Sequence, residues 1–364
     1  MKNDIIPVYK PNIKSGNEFK YVNQCLEENW ISSKGRFIKS FEDKFSNFLN
    51  IKYSSTVSNG TVALHLCLTA LGISQNDEVI VPTFTYIASV NSIRFVGAKP
   101  VFVDSDKNSW NINADLIEKK INKKTKAIMA VHLYGAACEM DKIIALCKKY
   151  KLYLIEDVAE GFGSKFKGKY LGSFGDVSSF SFFGNKTITT GEGGMVCSNN
   201  IKVIEKVNLL KSQYVSKTKE YWHEKLGYNY RMTNICAAIG LAQLERANEI
   251  ISKKIKISKI YKRELNNTNL IFQKEPLDSI NSFWMVSVLF ENKLQKEFIR
   301  NKLTENNIES RPFFYPAHIM PEFKSDEKFN IAENIYERGI NLPSYPDIQE
   351  DTIKKICKII NQNI

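Results

Sequence analysis

From Ser54 to Ser198 short apolar runs recur between longer amphipathic stretches, and this alternation limits the possible folds more than any other feature of the chain. The runs are Val79-Ile80-Val81, Val101-Phe102-Val103, Ala127 to Val131, Tyr153-Leu154-Ile155, Ser178 to Phe183 and Met195-Val196-Cys197. Between them lie helix-forming stretches such as Val62 to Leu71, closed by Gly72 in the C-cap position, and Met140 to Tyr150, lysine-rich toward its end. Strand, helix, strand as the repeating unit predicts an α/β fold with a mostly parallel central sheet covered by helices.

A long helical periodicity from Asn234 to Leu265 precedes a second region. There the sequence predicts a strand over Trp284 to Phe290, a helix near Lys293 to Asn306 and a closing helix over Glu350 to Asn361. With 364 residues to accommodate, the expected division is a large domain, 1–250, followed by a smaller C-terminal α+β domain, 251–364.

The formal net charge of +12 raises the question of nucleic acid. Its lysines are dispersed over Lys119 to Lys126, Lys142 to Lys151 and Lys253 to Lys262, as on solvated helix faces, so no nucleic-acid partner is expected. A field of this sign also favours a phosphorylated cofactor and a nucleotide-linked substrate. The seven cysteines are odd in number, form no Cys-x-x-Cys pair and sit mostly in apolar runs, which reads as reduced core thiols rather than disulfides. No metal site is expected. The N-terminal residues lack the apolar stretch of a signal peptide, and no segment approaches the roughly 18 apolar residues of a membrane span. A cytoplasmic protein without a membrane partner is therefore expected.

The chemistry concentrates in a few segments. In Ser181-Phe182-Phe183-Gly184-Asn185-Lys186-Thr187 a lysine ends an apolar strand and is followed by Gly191-Glu192-Gly193-Gly194. Taken alone, Lys186 could merely end a strand. Upstream, Leu154-Ile155-Glu156-Asp157 places an acid at the carboxyl end of a buried strand, where open parallel sheets hold their ligands. Asp157 is a candidate partner for a pyridinium nitrogen, whose pKa a carboxylate raises so that the ring can accept electrons; a helix N-cap is the alternative. Ser58-Asn59-Gly60-Thr61 lies between a strand and a helix, where free N–H groups suit a phosphate, although helices also begin this way without a ligand. Pro82-Thr83-Phe84-Thr85-Tyr86 follows another strand and offers an aromatic either to a planar ring or to the core.

Seven segments, Trp30-Ile31-Ser32-Ser33-Lys34-Gly35, Val57 to Ala63, Pro82 to Ser89, Glu156 to Glu160, Ser181 to Gly194, Asn229 to Asn234 and Glu309 to His318, resemble, in order and over nearly the whole chain, the sugar aminotransferases of the DegT family. Within it the chain is most similar to the branch that forms GDP-perosamine. The resemblance implies an aspartate-aminotransferase-type fold, the fold type I of enzymes that use pyridoxal 5′-phosphate, and a homodimer with shared active sites. It implies that Lys186 holds the cofactor as a Schiff base and that Gly60, Thr61 and Ser181 hold its phosphate, joined by Asn229 from the partner subunit. Tyr86 would stack on the ring, Asp157 would pair with its nitrogen, and Glu160 would lie beside the ring hydroxyl, a position where many members carry His or Gln. A branch that dehydrates its substrate has histidine in place of the Schiff-base lysine; Lys186 argues against membership there.

The implied reaction is ping-pong: glutamate gives up its amino group, pyridoxamine 5′-phosphate is the intermediate form, and a nucleotide-linked 4-keto-6-deoxyhexose is aminated at carbon 4. Lys186 moves the protons in both halves. Trp30, Ser32, Arg231, Arg311, Tyr315 and His318 are candidates for the substrate side, because arginine suits a diphosphate and aromatic faces suit a sugar or base. Arg231 could instead pair with a carboxylate of the fold, and Tyr315, between Pro312 and Pro316, could belong to a rigid turn. Alternatives to a GDP-linked substrate are a dTDP- or UDP-linked ketosugar, a decarboxylase or racemase on the same scaffold, or a regulator that keeps the cofactor fold without catalysis.

Overall fold

The computed structural model describes residues 5–364. Its centre is a seven-stranded sheet built from β1 (Tyr53–Val57), β2 (Glu78–Pro82), β3 (Lys99–Val103), β4 (Thr125–Val131), β5 (Tyr153–Asp157), β8 (Val177–Ser181) and β9 (Gly194–Ser198), the short pair β6 (Lys165–Phe166) and β7 (Lys169–Tyr170) lying outside it. The spatial order is β1-β9-β8-β5-β4-β2-β3. All neighbouring pairs are parallel except those that β9 makes with β1 and β8. The sheet is thus mostly parallel, as the alternation predicts.

Successive strand residues point to opposite faces, and both faces are covered. Ile80, Ile128, Ala130 and Leu154 enter one apolar cluster with Phe41, Phe45 and Phe182. Val79, Val81, Ala127, Met129 and Ile155 enter another with Leu64, Leu66 and Leu68 of the helix Gly60–Leu71. Burial on both faces is why these runs are apolar throughout instead of alternating with polar residues. The helix Gly60–Leu71 starts at Asn59, whose side chain accepts the Val62 N–H, a cap worth about 1 kcal/mol. It ends at Gly72, with φ +84 in the left-handed region that glycine adopts freely.

The second region forms a four-stranded sheet of order β10-β12-β14-β13, with β10 (Ile271–Phe272), β12 (Val286–Leu289), β13 (Arg311–Pro312) and β14 (Gly339–Leu342), while β11 (Ser279–Ile280) joins β6 and β7. The helices Lys293–Glu305 and Glu350–Asn361 match their sequence expectations closely. The single long periodicity from Asn234 to Leu265 is in fact two helices, Asn234–Glu245 and Ala247–Glu264. They part at Arg246, whose φ of −106 and ψ of 8 leave the helical region, and whose guanidinium lies between Glu18 and Glu249. Position 250 falls inside the second helix, which packs Ile250 and Ile251 on the large sheet and Ile257, Ile260 and Tyr261 on the small one. An N-terminal helix Arg36–Leu49 completes the cover, burying Phe37, Phe41 and Phe45 at four-residue spacing. Among the described residues no helix is long and apolar enough to cross a membrane.

Candidate active site

Four segments converge where the parallel strands end: the turn after β1 with Gly60 and Thr61, the turn after β2 with Thr83 to Tyr86, Asp157 at the end of β5, and the segment from Ser181 at the end of β8 to Lys186. Open α/β sheets place ligands at this carboxyl edge because helix N-termini and strand ends present unpaired backbone groups there. Asn59 takes the Val62 and Ala63 N–H groups, leaving those of Gly60 and Thr61 without acceptors among the described residues. A Cβ on Gly60 would stand 2.7 Å from Cβ of Ser181, so only glycine lets the helix start and the serine approach this closely. The three residues expected around a phosphate are thereby brought together.

Asp157 is buried, and its two oxygens are differently held. Ser89 Oγ donates to Oδ2 at 2.7 Å, itself 3.1 Å from Thr85 Oγ1, while the Ala159 N–H donates to Oδ1 at 3.0 Å. The second bond makes a local turn, and no helix follows directly, so the N-cap alternative reduces to this one contact. The neighbouring Glu156 points to the opposite face, where it accepts the N–H groups of Gly172, Phe174 and Gly175 and faces Nε2 of His132. Of two adjacent acids, one therefore faces the site and the other stitches the fold.

Lys186 is partly buried, and burial pushes its ammonium pKa down, against the opposing pull of Glu160 and Asp157. A lysine in that state supplies more neutral amine at neutral pH than an exposed one. Glu160 is buried and accepts the Tyr134 N–H at 2.7 Å. Burial pushes its carboxyl up to about 7, with Asp157 acting in the same direction and Lys186 and the Tyr134 N–H opposing. A folded-state value above the ordinary 4.5 means that the native protein binds extra protons between about pH 4.5 and 7, so this group makes stability fall as pH rises through that window. In cofactor-free protein, Glu160→Gln is expected to flatten the slope of melting temperature against pH over that range; an unaltered slope would contradict the assignment.

Tyr86 is 56% exposed, its ring 5.5 Å from that of Phe314 and thus open to a planar partner. The substrate-side candidates are spread around this opening. Trp30 and Ser32 are exposed on a segment tied down by Asn234, whose side chain donates to the Trp30 carbonyl and whose N–H donates to that of Ser32. Among the described residues Arg231 pairs with no carboxylate; its Nε donates to Oδ1 of the exposed Asn229 at 3.1 Å. Arg311 is exposed and lies 3.4 Å from Glu309, and Tyr315 is exposed against Tyr336. His318 is different: it is buried, with Nδ1 2.7 Å from Thr83 Oγ1 and Nε2 3.2 Å from Glu333, so both ring nitrogens are used within the chain. Its place is beneath the Thr83 to Tyr86 turn, which it orients.

Sequence reasoning missed Ser89, Tyr9 and Trp284. Tyr9 Oη donates to the Lys186 carbonyl and Trp284 Nε1 donates to that of Asn185 at 2.7 Å. Ser89 had a signal, since it closes the segment that begins at Pro82; the other two lie far away in sequence. Among the described residues no group of His, Cys, Asp and Glu is arranged to hold a metal ion.

The model of the DegT/DnrJ/EryC1/StrS aminotransferase family matches residues 12–361. The chain is 54% identical over 358 residues to the GDP-perosamine synthase of Escherichia coli O157:H7, and 50% identical over 361 residues to that of Vibrio cholerae, covering 98% of both chains in each case. Among solved structures it superimposes on Helicobacter pylori PseC, an aminotransferase involved in the biosynthesis of pseudoaminic acid, with a TM-score of 0.93 and 26% identity over 99% of both chains. A lysine, two carboxylates and an open helix start at one sheet edge, in a chain matched along almost its whole length, lead to one statement: the protein belongs to the DegT/DnrJ/EryC1/StrS aminotransferase family.

Proposed function

We propose that this aminotransferase moves an amino group from glutamate to carbon 4 of GDP-4-keto-6-deoxymannose, forming GDP-perosamine, with pyridoxal 5′-phosphate held covalently through Nζ of Lys186. The observation that carries the reading is the placement of Lys186 beside Asp157 and Glu160 at the carboxyl edge of the sheet, in a chain 54% identical to a GDP-perosamine synthase. The residues present fit the cofactor. The cradle of Gly60, Thr61 and Ser181 leaves two N–H groups for a phosphate, and Asn185 Oδ1, next to the lysine, is buried without a partner among the described residues.

Pyridoxal phosphate, when bound, supplies an electron sink for the carbon that loses a proton. The chain's own residues do the rest. Asp157, fixed by Ser89 and Ala159, would set its carboxyl group against the ring nitrogen and favour that nitrogen's protonated form. Lys186, its amine favoured as the neutral base by burial, would carry a proton from the donor α-carbon to the cofactor's aldehyde carbon in the first half-reaction and run the same transfer in reverse in the second. Glu160 would lie beside the ring hydroxyl, and Tyr86 would cover one face of the ring.

A homodimer is part of this proposal. Asn229 is exposed, and the segment leading to it carries Tyr221, 94% exposed, together with exposed Trp222 and Leu226. Such an apolar surface favours burial against another chain, from which Asn229 would reach the partner's phosphate cradle. Trp30, Ser32, Arg231, Arg311 and Tyr315 are proposed to contact the sugar nucleotide, with His318 acting through the turn it supports.

Incubation of the cofactor-loaded protein with glutamate and GDP-4-keto-6-deoxymannose is expected to convert the ketone to an amine, followed by mass spectrometry of the sugar nucleotide, and only when glutamate is present. Amination of dTDP- or UDP-linked ketosugars in preference to the GDP-linked one would replace the substrate and keep the chemistry.

A further inference from the structure

Trp284 lies just before β12, 5% exposed, in a region far from Lys186 in sequence. Its ring is nearly parallel to those of Tyr134 and Phe314, at 12° and 20°, so the indole plane is fixed by an aromatic stack. Its Nε1–H is spent on the Asn185 carbonyl, and its face carries Lys186 Nζ 4.0 Å from the ring centroid. The next carbonyl, that of Lys186 itself, is taken by Tyr9 Oη. The backbone under the lysine is therefore held from two distant parts of the chain, and the amine rests on an aromatic face rather than on a carboxylate oxygen.

On the reading of Lys186 given above, the lysine amine is released in the first half-reaction and recaptured only at the end of the second, and a long, flexible side chain needs a defined place while free. We propose that Trp284 is a positioning residue for this reaction: its indole face docks the free Lys186 ammonium, and its N–H fixes the backbone from which the lysine swings. An ammonium over an indole face is attracted by the ring quadrupole, more strongly where water is excluded. The other groups that act on the amine are Asp157 and Glu160, which favour its charged form, and burial, which opposes it. Tyr134, in the same stack, and Tyr9 are both held neutral by burial, and Lys254 lies beyond Tyr9, 5.4 Å from its ring. Trp284 thus adds to the two carboxylates in favouring the charged form of the parked amine, the form it reaches once it has taken up a proton.

The test is amine-selective labelling of Lys186 across a pH series, read by mass spectrometry of its peptide, in protein carrying pyridoxamine phosphate, where the lysine is free. A ring-fluorinated tryptophan at position 284 keeps the shape and the N–H but weakens the face, so Lys186 is expected to label about three- to tenfold faster at fixed neutral pH, with its profile moved to lower pH. Trp284→Phe keeps a face and loses the N–H; its profile should stay near that of the parent while the extent of labelling rises. Exposed Lys355, on the closing helix, serves as the internal control. Identical Lys186 profiles for the parent and the fluorinated protein, or a profile moved to higher pH, would overturn the proposal. Labelling needs neither glutamate nor a sugar nucleotide, so failure here is separate from failure of the amination assay.

Discussion

Lys186→Ala is expected to lower transamination by roughly 10³-fold or more while leaving pyridoxamine phosphate bound. The lysine has two tasks, covalent attachment and proton transfer, and among the described residues no second amine is placed to assume them: Lys211 is buried on Ser55, Thr56 and Glu42, and Lys254 on the Ser344 carbonyl. Binding is expected to survive because Gly60, Thr61, Ser181, Asp157 and Tyr86 belong to other segments whose contacts the substitution does not touch. Single-turnover mixing of the pyridoxamine-loaded variant with ketosugar separates the two tasks. Partial recovery with a small added amine would identify the missing group as a base, whereas turnover within tenfold of the parent would remove Lys186 from the mechanism.

The second large effect is on stability and concerns the residue beside Asp157. Glu156 is fully buried and surrounded only by donors. Oε1 accepts from the N–H groups of Phe174 and Gly175 at 2.8 and 2.7 Å, and Oε2 accepts from that of Gly172 at 2.8 Å. His132 adds a fourth: its Nδ1 accepts the Cys138 N–H, so the hydrogen lies on Nε2, 3.2 Å from Oε2. Glu156→Gln turns one oxygen into an amino group that meets donors head on, leaving buried N–H groups unpaired. A loss of about 3 kcal/mol is expected, on the scale of breaking a buried charged hydrogen-bond network. In a protein of this size that corresponds to a fall in melting temperature of roughly 4 °C. Calorimetry of parent and variant at one pH decides it; a fall below about 1 °C would mean that the loop 172–175 rearranges around the new amide.

The α/β architecture was legible because both faces of the sheet are buried, which makes its strands continuous apolar runs with helices between them. The helix bounds at Met140–Tyr150 and Glu350–Asn361 were legible because capping and amphipathic spacing are local. The break at Arg246 was not, since the apolar periodicity runs on through it and the guanidinium there is paired with Glu18, more than half the chain away. Similarly, the helix Arg36–Leu49 carried a phenylalanine at every fourth position but lay outside the strand-and-helix alternation that organised the rest.

The sequence by itself determined the parallel sheet, the lysine that follows β8 and the acid at the end of β5. Strand periodicity also required Glu156 and Asp157 to face opposite ways. Which of the two faced the lysine was decided only by the tertiary structure, because alternation assigns sides but does not say what covers each side. The same holds for Tyr9, Trp284 and His318: the first two reach the Lys186 segment across 177 and 99 residues, and His318 is drawn into the interior by Thr83 across 235. Contacts of that separation leave no local pattern in a chain, since they exist only once the folded segments have been packed together.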